Sequence, residues 1–334
     1  MPVNFLDQTS TRAAVEGARV VYHLAYGNDG PNRAAITIEG TRNIVEAATA
    51  AGVECVVILS TMYVFGFPDD KTTVDESFPY RPYGGEYTRS EAKMERWVLE
   101  RAKSSLPTRV VVLNPTCVYG PGGGAYTCLP VDLSRKGQFC WIENGTGLAN
   151  YTYVGNVVDA IMAAVDLPSA HRHRVIINDG AVTWREFISP LVEAVAGDIP
   201  SYSPRELARL PRFGGPFKLR DLMRAAASAA EVRNVAKRSP RIRAAFALAN
   251  RLWPRPPMGS SVNFLEDEGR PFAPRGDPPE WLGDLYGTAR VKFSSAKAQN
   301  CLNWSPRIDL AAGQALTIAW LVENGRLPRS GVWS

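Results

Sequence analysis

The sequence predicts an α/β protein: a doubly wound parallel sheet with a smaller, mostly helical lobe toward the C-terminus. Three observations carry that expectation. Short runs rich in Val, Ile and Leu alternate with longer stretches of helical period. The alternation runs strand–helix–strand up to about Leu113, as in the second half of a nucleotide-binding fold. At 334 residues and 45% hydrophobic, the chain can bury a core of that size.

The expected strands are Val3–Leu6, Arg19–Leu24, Glu54–Leu59, Arg109–Leu113 and Arg174–Ile177. Asn32–Ala51 reads as a helix closed by Gly52. Glu86–Arg101 reads as another, with Met94, Trp97 and Val98 on one apolar stripe. Gly120–Gly124 is a glycine-rich loop, and Tyr151–Ala164 reads as a strand end running into a helix. Residues 200–255 read as basic and mostly helical, punctuated by Pro211 and Pro240. Proline and glycine between Pro254 and Pro279 imply a long surface excursion. A last helical pattern, Leu310–Val322, follows Trp304-Ser305-Pro306.

Composition narrows the class. No apolar run approaches the ~18 residues of a spanning helix, and no n-region and h-region mark a signal peptide. The five cysteines (Cys55, Cys117, Cys128, Cys140, Cys301) are scattered and form no CxxC pair. That usage points to reduced thiols in the cytoplasm rather than a disulfide frame or a zinc site. His171 and His173 sit in an HRHR run, and no metal is expected there. The net charge of +5 hides an excess of ten positive charges between 201 and 255, which leaves the rest of the chain near −5. The plain reading of that stretch is a solvated helix face. Contact with a membrane surface or an anionic ligand is the alternative, and nucleic acid is not expected.

Four ordered segments then stand out. They are Val20-Val21-Tyr22-His23-Leu24-Ala25, Leu59-Ser60-Thr61-Met62-Tyr63-Val64-Phe65-Gly66, Tyr87-Thr88-Arg89-Ser90 and Asn114-Pro115-Thr116-Cys117-Val118-Tyr119-Gly120-Pro121. Weaker echoes follow in Tyr153-Val154-Gly155-Asn156 and in Lys297-Ala298 with Leu302-Asn303-Trp304-Ser305-Pro306. In kind, order and spacing these segments resemble the extended short-chain dehydrogenase/reductase family, of the NAD-dependent epimerase/dehydratase type. The resemblance implies a Rossmann-like domain over 1–125, here incomplete. Over 126–334 it implies a mixed substrate-binding lobe with returning Rossmann elements.

It also implies hydride transfer between NAD or NADP and a carbon bearing a hydroxyl or keto group. On that resemblance Tyr87 is the acid/base and Thr61 the orienting hydroxyl. Asp7, Gln8, Leu24, Ala25, Tyr26, Ser60, Tyr87, Pro115, Thr116 and Val118 fall at cofactor positions, and Met62, Tyr63 and Cys117 at substrate positions. A tyrosine of pKa about 10 is a poor base at neutral pH. The family places a lysine one helical turn later, whose charge lowers it. This chain has Glu91 there, and Lys93 lies about 240° round the helix from Tyr87. A carboxylate in that place raises the tyrosine pKa, so ordinary catalysis is in question and a non-catalytic or decayed relative is the alternative.

The family opens with a strand, a G-x-x-G-x-x-G loop and a helix that hold the pyrophosphate. No such pattern precedes Val20. The segment Pro2-Val3-Asn4-Phe5-Leu6-Asp7-Gln8 resembles the family's third strand with its adenine-contacting Asp. In strand order 3-2-1-4-5-6 the strand Arg19–Leu24 then becomes an open edge, prone to pair with another chain. Three accounts are open: a start placed downstream of the true one, a decayed gene product, or a rewired sheet that dimerises across the edge. The first is preferred.

On substrate, Met62-Tyr63 stand where the family's sugar-nucleotide dehydratases carry Asp-Glu. Cys117 stands where many epimerases place an Asn, and the epimerases' arginine before Tyr153 is absent. The Asn-Pro-Thr-x-Val-Tyr-Gly-Pro and Tyr-Val-Gly-Asn segments look more like the hydroxysteroid and dihydroflavonol reductase branch. The substrate stays open between a nucleotide sugar and a hydrophobic alcohol or ketone.

Overall fold

A computed structural model of the chain describes residues 2–27, 31–68, 72–104, 106–167, 171–210 and 277–328. Its strands are β1 (Val20–His23), β2 (Cys55–Leu59), β3 (Thr73–Val74), β4 (Arg109–Pro115), β5 (Cys117–Tyr119), β6 (Trp141–Ile142), β7 (Leu148–Tyr153), β8 (Arg174–Ile177), β9 (Gly180–Thr183), β10 (Ser201–Tyr202) and β11 (Lys292–Phe293). The main sheet runs β1-β2-β4-β8, all parallel, with Val20 opposite Cys55 and Cys55 opposite Arg109. A second sheet of order β5-β7-β9 joins a parallel and an antiparallel pair. One compact unit takes in residues 1–209 and 272–334.

Period-two alternation builds the two faces of the main sheet. Val56, Ile58, Val110 and Val112 point to one face and meet Val45 and Ala48 of helix Thr41–Ala50 and Met94 and Val98 of helix Glu86–Lys103. Cys55, Val57, Val111 and Leu113 point to the other and meet Val157, Ala160 and Ala164 of helix Val154–Asp166, with Leu302 and Trp304 behind. Strands buried on both faces read as continuous apolar runs, which is why β2 and β4 are so plain in the sequence.

Four of the five expected strands are present, with ends shifted by two residues at most. Val3–Leu6 is the exception: it is a loop, and a helix, Gln8–Val15, follows it directly. Among the described residues no strand runs beside it, and its polar groups are met locally. The Asn4 N–H donates to Ser10 Oγ and the Leu6 N–H to Asn4 Oδ1, while Asn43 Nδ2 donates to the Phe5 carbonyl. The Phe5 ring meets the edge of His23 at 5.6 Å. The expected helix Asn32–Ala51 is a short helical segment, a π turn at Ile36–Gly40 and a regular helix to Ala50. Gly52 follows at φ +73°, the left-handed conformation that ends a helix cheaply only in glycine.

The basic stretch 201–255 lies outside the described residues from 211 onward, as does the excursion 254–279 up to residue 276. Among the described residues no helix is long and apolar enough to cross a membrane.

Candidate active site

Parallel strands bring their carboxyl ends to one edge, and the loops after them carry the residues singled out above. After β2, Ser60 and Thr61 lead into a 3-10 turn, Met62–Val64, with the Thr61 side chain accepting from the Tyr63 N–H. Tyr87 lies in the first turn of helix Glu86–Lys103. After β1 come Leu24, Ala25 and Tyr26, and the Tyr26 ring meets Tyr87 edge-on at 5.3 Å. An ion pair between Arg33 Nε and Glu86 ties the chain after β1 to the start of the Tyr87 helix.

Tyr87 and Thr61 come together, near enough for the Thr61 hydroxyl to act on the Tyr87 phenol. Tyr87 is nevertheless held well above the ordinary tyrosine range. Burial is the main cause and Glu91 the next, with Tyr26 adding to it and Thr61 opposing. The phenol is therefore a proton donor at neutral pH. Lys93 is exposed and supplies no charge to Tyr87.

The buried face of the Tyr87 helix carries two carboxylates in line with its apolar stripe, Glu91 at 2% exposure and Glu95 at 0%. Glu95 receives the Tyr80 hydroxyl at 2.9 Å, Asn114 Nδ2 at 2.8 Å and Arg174 at 3.4 Å. Asn114, buried in β4, also donates to the Thr61 carbonyl at 3.2 Å. One amide thus pins the Thr61 loop to the Tyr87 helix. Arg174 lies over the Phe65 and Tyr80 rings at 4.6 and 4.3 Å and donates to the Glu76 and Phe78 carbonyls. Glu95, Asn114, Tyr80 and Arg174 were not among the expected site residues. Their signal was a pair of glutamates, i and i+4, on the stripe of Met94 and Val98.

The substrate positions form a second nest. The Tyr63 hydroxyl meets the Tyr126 hydroxyl at 2.6 Å. Burial pushes the Cys117 thiol up to about 12, and the nearby Tyr126 opposes it. Met62 is 2% exposed. Pro115 is buried and Val118 half-buried. Thr116 is turned to the interior, bonded to Thr152 at 2.7 Å and Asn178 at 3.0 Å. Asp7 caps helix Gln8–Val15 by accepting the Thr9 N–H at 2.8 Å, and Gln8 is exposed at its start. Neither Asp7 nor Gln8 joins the Tyr87 cluster.

His23 ends β1 against Thr41, 2.9 Å from its hydroxyl. That hydroxyl already gives its proton to the Thr37 carbonyl, so His23 Nε2 is the donor. Burial lowers the imidazole to about 4. His171 accepts the Val110 N–H at Nδ1.

Leu24, Tyr26 and Tyr87 are 49%, 48% and 39% exposed along this edge. An apolar, aromatic rim at the carboxyl ends of parallel strands fits the flat rings of a dinucleotide. Leu24, Ala25, Tyr26 and Tyr87 are the residues here that would hold the cofactor, and that cofactor would supply or accept the hydride.

A doubly wound sheet with a tyrosine and a threonine meeting at its carboxyl edge defines a short-chain dehydrogenase/reductase of the epimerase/dehydratase type. Within that class the chain belongs to the 3-beta hydroxysteroid dehydrogenase/isomerase family, whose profile matches residues 2–180. It is similar to short-chain dehydrogenase/reductase family 42E member 1 of Xenopus laevis, 30% identical over 209 residues, 56% of this chain and 54% of that one. It is also similar to 3beta-hydroxysteroid-dehydrogenase/decarboxylase isoform 1 of Arabidopsis thaliana, 27% identical over 212 residues, 58% of this chain and 48% of that one. The chain spans about half the length of these curated relatives. In fold it matches the structure of MoeE5 in complex with UDP-glucose and NAD, at a TM-score of 0.61 and 19% identity, covering 95% of this chain and 84% of that one. NAD or NADP is the cofactor expected of the family.

Proposed function

We propose that this chain serves an NAD(P)-dependent oxidoreductase that reduces the keto carbon of a hydrophobic ketone, with Tyr87 giving a proton to the oxygen and Thr61 orienting it. The observation that carries this reading is the meeting of Tyr87 and Thr61 at the carboxyl edge, with Tyr87 a protonated donor. A protonated phenol suits reduction, where the oxygen must gain a proton, better than oxidation, where the phenolate must take one. The apolar Met62 and Cys117 at the substrate positions support a hydrophobic substrate over a nucleotide sugar, as does the likeness to a hydroxysteroid dehydrogenase. Ser60, Pro115, Thr116 and Val118 complete the cofactor side of this reading, with Asp7 and Gln8 more remote. The free cysteines support a cytoplasmic setting, and the edge that β1 leaves unpaired among the described residues supports a homodimer.

Heat denaturation tests it. Either NAD(H) or NADP(H) is expected to raise the melting temperature, and a hydrophobic ketone to consume the reduced form. Tyr87→Phe is expected to abolish that consumption while preserving cofactor stabilisation. If neither nucleotide protects the chain, the reading fails and a non-catalytic relative takes its place. Glu91 in the place of a cation is the observation that favours this second reading.

A further inference from the structure

Thr61 and Tyr87 stand on different elements, the loop after β2 and the helix Glu86–Lys103. Their meeting depends on how those two elements are joined, and Asn114 joins them. It is the last residue but one of β4 and 0% exposed. Period two puts it on the face of Val110 and Val112, toward that helix. Its Nδ2 carries two hydrogens, and both are used. One goes to the Thr61 carbonyl at 3.2 Å and the other to Glu95 Oε2 at 2.8 Å. Turning the amide over would set its oxygen against a carbonyl and a carboxylate, so the partners fix its orientation.

Each end of this clip is itself held. The Ser60 N–H donates to the Leu113 carbonyl at 2.8 Å, so residues 60 and 61 are tied in succession to 113 and 114. The Thr61 hydroxyl accepts the Tyr63 N–H at 3.3 Å. At the other end Glu95 Oε1 takes the Tyr80 hydroxyl at 2.9 Å and Arg174 Nη1 at 3.4 Å, which leaves Oε2 to Asn114. Arg174 belongs to β8 and is fixed in turn by the Glu76 and Phe78 carbonyls. Glu95 is thus bound to two neighbouring strands of the main sheet, β4 and β8. From Tyr87 to Glu95 the chain is unbroken helix, about 12 Å along the axis and about 80° round it. Where Glu95 is fixed, the height and rotation of Tyr87 follow.

Resting on the oxidoreductase reading, we propose that Asn114 is a positioning residue of the reaction. The clip it forms with Glu95 sets the Thr61 hydroxyl and the Tyr87 phenol at the spacing that one ketone oxygen requires of both. Asn114 is wholly buried and acts through those two groups. A shift of about 1 Å between them is enough to cost roughly a hundredfold in rate, so a bond that adds nothing to the chemistry still governs it.

Asn114→Ala removes both bonds, and Val111→Ala, on the opposite face of β4, is the control for lost packing. Asn114→Ala is expected to lower kcat about 10- to 100-fold while KM for nucleotide and ketone stays within about twofold. Val111→Ala is expected to lower the melting temperature as well, yet to keep kcat near wild type. In a Thr61→Ala background, Asn114→Ala is expected to cost only about threefold more, because the hydroxyl it positions is gone. Asn114→Ser keeps one donor, too short for both acceptors. It serves if Asn114→Ala does not fold, and its kcat is expected to fall between the two. Carbon NMR of ring-labelled tyrosine gives a readout without cofactor. The Tyr87 signal, assigned by its loss in Tyr87→Phe, is expected to move in Asn114→Ala and to stay in Val111→Ala. A kcat loss no greater than that of Val111→Ala overturns the proposal and leaves the oxidoreductase standing. Losses that multiply in full with Thr61→Ala do the same, as does a Tyr87 signal that stays in place. A chain that no nicotinamide nucleotide stabilises, and that reduces nothing, removes the oxidoreductase and the positioning role together, even with the ring signal moving as stated.

Discussion

Strands β1 and β4 are both apolar in sequence, yet the fold treats them differently. In β4, which lies between β2 and β8, Val110, Val111, Val112 and Leu113 are all 0% exposed. In β1, which pairs with β2 alone among the described residues, Tyr22 is 42% exposed and Val20 and Val21 are half-buried. Only His23, at 5%, is buried. Apolar composition therefore makes a strand available for burial, and a neighbour on each side completes it. The exposure continues past β1 into Leu24 and Tyr26, and across to Val158 and Met162 on the adjoining helix, where the Tyr22 hydroxyl reaches the Met162 sulfur at 3.6 Å.

The sharpest break of this contrast is a truncation in each strand. Leu113→Ala opens a cavity in the doubly covered core and is expected to cost roughly 2–5 kcal/mol in urea unfolding. Tyr22→Ala removes a larger side chain and is expected to cost about 1 kcal/mol or less, because much of it is already in water. Similar losses from the two would mean that β1 is covered in solution.

His23 sharpens it next, as the one side chain β1 buries. Its folded pKa of about 4 lies below the ordinary 6.5, so the unfolded chain binds the proton more readily. Stability is then full above pH 6.5 and falls by roughly 3 kcal/mol as pH drops to 4. His23→Gln, with an amide in place of the imidazole, is expected to flatten that acid limb. A limb that survives the substitution would assign it to carboxylates instead.

Strand positions were legible wherever both faces are covered, because such runs stand out without any knowledge of their partners. Val3–Leu6 has the same local texture and becomes a loop, since no strand among the described residues pairs with it and Asn4, Ser10 and Asn43 take its polar groups. At the site, Tyr87, Thr61 and the misplaced carboxylate Glu91 were visible from motif spacing. The supports were not. Asn114 reaches Glu95 across 19 residues and Thr61 across 53, Arg174 reaches Glu95 across 79, and Tyr63 reaches Tyr126 across 63. Such contacts follow from the winding of the chain, and no local pattern records them.

Glu91 makes the opposite pH limb to His23, since it is an acid whose folded pKa is raised. The unfolded carboxyl loses its proton near the ordinary 4.5 and the folded one near 8, so stability falls as pH rises through that window and levels off above it. Glu91→Gln keeps the shape without the acid and is expected to be more stable than wild type by roughly 1–3 kcal/mol at pH 8. Near pH 4.5 the two are expected to converge. A melting-temperature difference that does not change with pH would mean that packing, and not the proton, is at issue.

The smallest effect on stability comes from charging the open edge, where the effect on association is expected to be plain. Lysine on an edge strand discourages pairing with another chain while leaving an exposed position's stability within about 0.5 kcal/mol. Tyr22→Lys is therefore expected to unfold at nearly the wild-type urea concentration. In equilibrium sedimentation the wild type is expected to self-associate through β1 and the variant to remain a monomer. If both are monomers at the same concentrations, the exposed edge is tolerated as it stands. Tyr22, Leu24 and Tyr26 then belong to the rim that faces the nucleotide, and the difference between β1 and β4 marks a ligand surface instead of an unfilled place in the sheet.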